Sequence, residues 1–242
     1  MSDRPRIVVT LHGPEQAALE EPTWATFDSY LDAVRRAGGE PVALDPTAST
    51  EARASAFASM DGLLLPGGAD LDPALYGEHP HPAVAVEGDR DDLELQAWTA
   101  ACLRGVPIFG VCRGFQAINV FSGGRLVQHL DGHDSPTQAP QAHPLHLDPA
   151  SRLAGILGET DPLLRAEVNS YHHQAVRPAD LAPGLVASGM APHDEGDLVE
   201  ALESADRNEW LVGVQFHPER PEFIGPEFDR LWRAFVDAAR SR

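Results

Sequence analysis

Cys112 lies in the run Pro107-Ile108-Phe109-Gly110-Val111-Cys112-Arg113-Gly114, and a thiol in that setting can serve as a nucleophile. An apolar stretch, 106–111, leads up to it, and an amphipathic stretch, 115–121, follows at once. The pattern predicts a strand, a sharp turn and a helix, with the cysteine at the apex. Small residues beside the apex suit the strained backbone of such an elbow. The unpaired N–H groups and dipole at the helix start favour thiolate over thiol. An ordinary cysteine, with a pKa of roughly 8.5, needs that help to react at neutral pH. The competing reading is a buried structural cysteine at a strand end, since buried free cysteine is common.

A second segment adds the partner groups. Gly213-Val214-Gln215-Phe216-His217-Pro218-Glu219 closes an apolar strand expected over 210–216. A histidine there can act as general base toward a thiol. A carboxylate two residues on can orient the ring and stabilise its charged form. Nothing local brings Cys112 near His217; only the fold can do so. Pro66-Gly67-Gly68 reads in two ways. It is a turn signal, and it is also a backbone bare enough for N–H groups to approach a substrate carbonyl.

The elements that must carry these groups alternate. Strands are expected at 6–11, 41–44 and 62–65, and helices at 24–37, 51–59 and 89–104. Strands joined by helical crossovers imply an α/β, doubly wound, mostly parallel sheet. Its ligands should sit at the carboxyl ends of strands, where Gly67, Gly68, Cys112 and His217 all fall. After Gly124 the pattern loosens. Short strand candidates at 126–129, 163–168, 185–190, 198–203 and 210–216 suggest an antiparallel flank, before a last helix at 225–240. Residues 137–144 read as a polar, proline-punctuated loop. No linker divides the 242 residues, so one domain over 1–242 is expected.

Composition narrows the chemistry. The formal net charge is −19, which argues against nucleic acid or an anionic membrane as partner. Lysine is absent and all 18 basic residues are arginine, so a Schiff-base lysine and a complete phosphate-binding P-loop are excluded. No run approaches the ~20 apolar residues of a membrane span, and the N-terminus reads as a strand rather than a secretory leader. With only Cys102 and Cys112, no disulfide framework is implied, and a cytoplasmic setting is expected. Cys102 is expected in the core. The acidic run 194–209 is expected to be a solvated surface. Among the histidine pairs 129/133, 143/146 and 172/173, the first has the spacing of one helix face, but 125–130 reads as a strand and no Glu follows the first His, so neither a metal nor a cofactor is expected.

Four stretches, LLLPGGADLDPALYGE (63–78), GVCRGFQAINVFSGG (110–124), VNSYHHQAV (168–176) and GVQFHPE (213–219), resemble the class I glutamine amidotransferase-like superfamily. Within it the chain is most similar to the gamma-glutamyl-gamma-aminobutyrate hydrolase family. Arg113 and Phe115 follow the hydrolase pattern, whereas true amidotransferase domains usually carry other residues there. Phe216 stands where the family often has tryptophan. The resemblance implies a flavodoxin-like fold and a Cys112–His217–Glu219 triad. It implies an oxyanion hole from the backbone N–H groups of Gly68 and Arg113. It also places Gly67, Gln116 and His172 at the substrate, with His172 and Gln174 on the site's rim. The Arg113 side chain is left open between a salt bridge and a substrate contact. The implied activity is cleavage of a small gamma-glutamyl amide, with loops 70–88 and 131–145 reading the amine. Alternatives are an amidotransferase subunit feeding a separate synthetase and a non-enzymatic binding protein. A homodimer stays open as the assembly.

Overall fold

The computed structural model describes residues 4–13, 28–130, 141–158 and 165–241. Strands β1 (Arg6–Thr10), β2 (Glu40–Leu44), β3 (Gly62–Leu65), β4 (Ile108–Val111) and β9 (Leu211–Val214) run parallel. Strands β5 (Gln141–Leu147), β6 (Arg165–Ser170), β7 (Leu185–Ala191) and β8 (Leu198–Ser204) add an antiparallel flank. Together they make one nine-stranded sheet in the order β2-β1-β3-β4-β9-β8-β7-β5-β6. β3, β4 and β9 are buried at every position, as a parallel strand covered on both faces must be.

Helices cover both faces. α1 (Asp28–Arg36) and α6 (Asp229–Arg240) pack on Ile7, Val9, Leu64, Phe109 and Val111. α2 (Thr50–Ser59), α3 (Gly88–Arg104) and α4 (Arg113–Phe121) pack on Val8, Leu63, Leu65 and Ile108. The two lists alternate along each strand because successive side chains point to opposite faces. α6 buries Leu231, Trp232, Phe235, Val236 and Ala239, the three-and-four spacing of one helix face. α2 is capped by Ser49, whose hydroxyl accepts from the Ala52 N–H. A short helix, α5 (Arg152–Leu157), lies against the flank.

Most expected elements appear within a residue or two. Of the expected helix at 24–37, only the part from Asp28 lies in the described residues. Four expectations differ. Residues 126–129 are not a strand; Val127 makes a single bridge to Ala175. Of the expected loop at 137–144, residues 141–144 belong to β5, and the rest lies outside the described residues. Pro144 sits opposite Glu167 of β6, while the pairing of β5 with β7 is confined to His146 and Leu147. The acidic run is exposed at 194–197 and 205–209, but β8 passes through it and buries Glu200 and Glu203. Glu203 accepts from the Arg152 N–H at 2.9 Å, capping α5. Cys102 is exposed, because the buried face of α3 runs through Arg90, Leu93, Glu94, Ala97, Trp98 and Ala101.

Gly114 sits where α4 crosses β3, and a Cβ there would overlap the Leu65 carbonyl. Gly155 is in α5 with open space around its Cα. Gly114→Ala is expected to cost roughly 3 kcal/mol or more in denaturant unfolding, since the backbone itself blocks the methyl group. Gly155→Ala should be neutral or stabilising by up to about 1 kcal/mol.

Candidate active site

β4 ends at Val111, and its neighbour β9 ends at Val214 in register with it. Cys112 follows directly, and its N–H donates to the Val214 carbonyl at 2.8 Å. Its φ of 51° makes it the sole non-glycine residue with positive φ among the described residues. Such a conformation costs of order 1–3 kcal/mol and persists only where its surroundings impose it. Here Gly110 and Gly114 impose it. A Cβ at Gly110 would come within 2.5 Å of the Gly114 carbonyl oxygen, so only a side-chain-free pair lets the helix fold back this tightly. The strand–elbow–helix expectation is thus met in detail.

β9 delivers His217 three residues past its end. The His217 N–H donates to Asn169 Oδ1 at 2.8 Å, and Asn169 Nδ2 donates to the His217 carbonyl at 3.0 Å, which fixes the backbone. His217 Nδ1 lies 2.6 Å from Glu219 Oε1. Burial disfavours a charged ring, but Glu219, Cys112 and hydrogen bonds to both push the His217 pKa up to about 10. The Tyr30 hydroxyl lies 3.3 Å from the same Nδ1 and accepts from the Gly67 N–H at 3.1 Å. A Cβ at Gly67 would meet His217 Cε1 at 3.1 Å and Cys112 Cβ at 3.6 Å. Cys112, His217, Glu219 and Gly67 therefore converge on one point, brought from β4, β9 and the end of β3. Gln215 Nε2 reaches the Cys112 sulfur at 3.6 Å.

Beneath the elbow lies a buried charge cluster. The Arg113 guanidinium pairs with both Asp91 and Glu94. Arg90 donates to Glu94 at 2.9 Å and to the Gly67 carbonyl at 2.8 Å. Thr10 donates to Glu94 at 3.0 Å. Burial opposes the Glu94 charge, yet Arg113 and Arg90 hold its carboxyl below the usual range. The open question of the Arg113 side chain is thereby answered as a salt bridge inside the protein. A Cβ at Gly68, whose φ is +144°, would overlap Arg90 Nη1, so glycine is required there on two grounds.

Two expected substrate contacts are placed differently. Gln116 is buried and donates to Gln215 Oε1 at 3.1 Å and the Gln174 carbonyl at 3.3 Å. His172 and Gln174 are buried rather than on a rim. Tyr30, Arg90, Glu94, Asn169 and Gln215 escape sequence reading, because they reach the site only through tertiary packing. Among the described residues, one group of side chains has metal-ligand character: His143, His172 and Glu200.

Residues 7–219 match the family described as Peptidase C26. The chain belongs to that family, among the class I glutamine amidotransferase-like enzymes. A Mycobacterium tuberculosis relative with a provisional glutamine amidotransferase name is 37% identical over 218 residues, 87% of this chain and 66% of its own length. The chain thus spans just under two thirds of that relative. The gamma-glutamyl-gamma-aminobutyrate hydrolase of Escherichia coli is 32% identical over 207 residues, 79% of this chain and 77% of that one. Among solved structures, the glutaminase domain of Trypanosoma brucei CTPS with bound acivicin superposes with a TM-score of 0.64 at 19% identity. That alignment covers 98% of this chain and 94% of that one, and it bears out the fold. No described helix is long and apolar enough to cross a membrane.

A folded pKa of about 10 keeps the His217 ring charged through neutral pH, and the charge is lost only as pH rises through that value. Removing the carboxylate leaves burial, which favours the neutral ring. Ring nitrogen NMR should show His217 doubly protonated at pH 8 in the intact chain. In Glu219→Gln its titration should move down in pH by at least one unit. An unmoved titration would mean that Glu219 does not hold the charge.

Proposed function

We propose that the chain is a cysteine hydrolase that cleaves gamma-glutamyl amides through a glutamyl thioester. The observation that carries this reading is Cys112 on its strained elbow, facing the His217–Glu219 pair across adjacent strand ends. In the proposed first step the Cys112 sulfur attacks the gamma-carbonyl carbon. A C–S bond forms, and the carbonyl π electrons become an oxyanion. The Gly68 and Arg113 N–H groups are the proposed donors to that oxygen; one such donor is worth roughly 2.7–4 kcal/mol. The oxyanion then collapses and the C–N bond breaks. His217 gives its proton to the departing amine, so the leaving group is neutral. Water attacks the thioester next. His217 takes a proton from it, and the C–S bond breaks to release glutamate and regenerate Cys112. Cys112 attacks as the thiolate paired with a protonated His217. The ring is neutral in the thioester stage and is recharged by the proton from water. Glu219 keeps it oriented and stabilises it whenever it carries the proton.

The Arg113 and Phe115 pattern and the 32% identity to a gamma-glutamyl-gamma-aminobutyrate hydrolase favour a hydrolase over an ammonia-supplying subunit. Both oxyanion backbones, the nucleophile and the base come from this one chain, which supports activity without a partner. The substrate contacts expected of Gly67, Gln116 and His172 remain proposals, with Gln116 and His172 buried behind the elbow.

The test uses the purified chain with gamma-glutamyl-gamma-aminobutyrate and no ATP. Acid quench should trap a glutamyl adduct on the peptide that holds Cys112, with glutamate released in multiple turnovers. Cys112→Ala should give neither. His217→Ala should lower turnover by at least ~10²-fold. Activity that appears only after a synthetase partner is added would favour the amidotransferase reading, and activity retained by Cys112→Ala would reject the mechanism.

A further inference from the structure

Three side chains that take no part in the proposed bond-making, bond-breaking or proton-transfer steps converge in the antiparallel flank. Glu200 is on β8, His143 on β5, and His172 follows β6. His172 Nε2 lies 3.6 Å from Glu200 Oε1, and His143 Nε2 lies 3.7 Å from Glu200 Oε2. Glu200 is fully buried, and neither carboxylate oxygen has a hydrogen-bond donor among the described residues. No described guanidinium pairs with it; its recorded ion-pair neighbours are these two imidazoles. A buried carboxylate left this way costs several kcal/mol.

The imidazoles do not supply the missing donors. His172 Nδ1 lies 2.9 Å from the Gln174 carbonyl oxygen, and His143 Nδ1 lies 3.3 Å from the Pro144 carbonyl oxygen. A carbonyl only accepts, so each Nδ1 carries the ring proton. In the neutral rings each Nε2 then presents a lone pair toward Glu200. Three electron-rich atoms face one another in an interior that disfavours unpaired charge. Such an arrangement is stable around a cation.

The geometry selects the cation. Distances of 3.6 and 3.7 Å are too long for hydrogen bonds. Bonds of about 2.0–2.2 Å to a tetrahedral zinc ion set ligand separations of roughly 3.3–3.6 Å. All three ligand atoms lie within 4.8 Å of one another. A ring whose Nδ1–H is held by a carbonyl while Nε2 points inward is the outer-layer pattern of histidine metal ligands. Two imidazoles exclude calcium and magnesium, which take oxygen ligands.

We infer that His143, His172 and Glu200 bind one zinc-class divalent transition ion, with a fourth position open toward the 16% exposed face of His143. The ion would cross-link β5, β8 and the segment after β6. It would also brace the nucleophile from behind. The Glu200 carbonyl accepts from the Gln215 N–H at 2.8 Å, and Gln215 touches the Cys112 sulfur. The Gln174 carbonyl that anchors His172 also accepts from Gln116. The role is a brace, because Glu200 and His172 are sealed from solvent.

The test is made in a Cys112→Ser background, so that the thiol cannot ligate. Chelator-treated protein is titrated with cobalt(II), then with zinc. One equivalent of cobalt should give the intense visible bands of a four-coordinate nitrogen–oxygen site, and zinc should displace it. Saturating zinc should raise the melting temperature by roughly 5–10 °C. Glu200→Gln and His143→Ala should each lose the bands and the shift. If Glu200→Gln does not fold, X-ray absorption of the zinc-loaded Cys112→Ser chain, showing two imidazoles and a carboxylate, decides instead. No stoichiometric binding at micromolar metal, or binding unchanged in His143→Ala, would overturn the site and leave a proton as what neutralises Glu200.

Discussion

Glu94 is the point at which the two halves of the candidate site are tied together. Its carboxylate takes Arg113 on one side, from the first turn after Cys112, and Arg90 on the other, which in turn holds the Gly67 carbonyl. Asp91 completes a cluster of two buried cations and two buried anions. Buried charges are expensive to desolvate, and removing one partner of such a set typically costs 3–5 kcal/mol. The cluster therefore has one low-energy arrangement. That arrangement fixes where the Gly67-Gly68 backbone lies relative to the elbow. The two N–H groups proposed to meet the oxyanion are thus set by α3, an element that contributes nothing else to the site.

The sheet supplies the rest of the framework. The order β2-β1-β3-β4-β9 places three carboxyl ends side by side, and the Gly67 turn, Cys112 and His217 emerge from these. Parallel pairing keeps all three on one edge of the sheet. Strain is stored at one residue, Cys112, where the close crossing of Gly110 and Gly114 leaves the backbone no alternative. The antiparallel flank then closes the far side through Asn169 on β6, which fastens His217, while Gln215, just past parallel strand β9, reaches the sulfur.

What could be read from the sequence follows the range of the physics involved. The elbow is a local matter of glycine spacing beside an apolar run, so Cys112 and its helix were legible. His217 and Glu219 were legible as a pair because two residues separate them, whereas their meeting with Cys112 was implied only by the family resemblance and not by spacing. Strand periodicity and helix punctuation located most elements of the parallel half. Residues whose meaning comes from a distant partner were misjudged. Glu200 reads as solvated because its neighbours in sequence are acidic, yet β8 turns it inward toward histidines 28 and 57 residues away. Cys102 reads as core from its apolar neighbours, but the phase of α3 turns it out. Pro144 reads as a loop because proline marks turns in sequence, yet in the fold it lies within β5 opposite Glu167.

The central claim is that the charged His217 ring makes Cys112 the reactive thiol. The direct measurement is the rate of iodoacetamide alkylation at each cysteine at neutral pH, resolved by peptide mass spectrometry, in the intact chain and in His217→Ala. Burial raises the pKa of Cys102, and it has no imidazole partner among its recorded interactions, so it serves as an internal reference despite its exposure. The account predicts that Cys112 is modified at least ~10-fold faster than Cys102, and that this advantage disappears in His217→Ala. Equal rates at the two cysteines, or an advantage for Cys112 that survives the loss of His217, would contradict it.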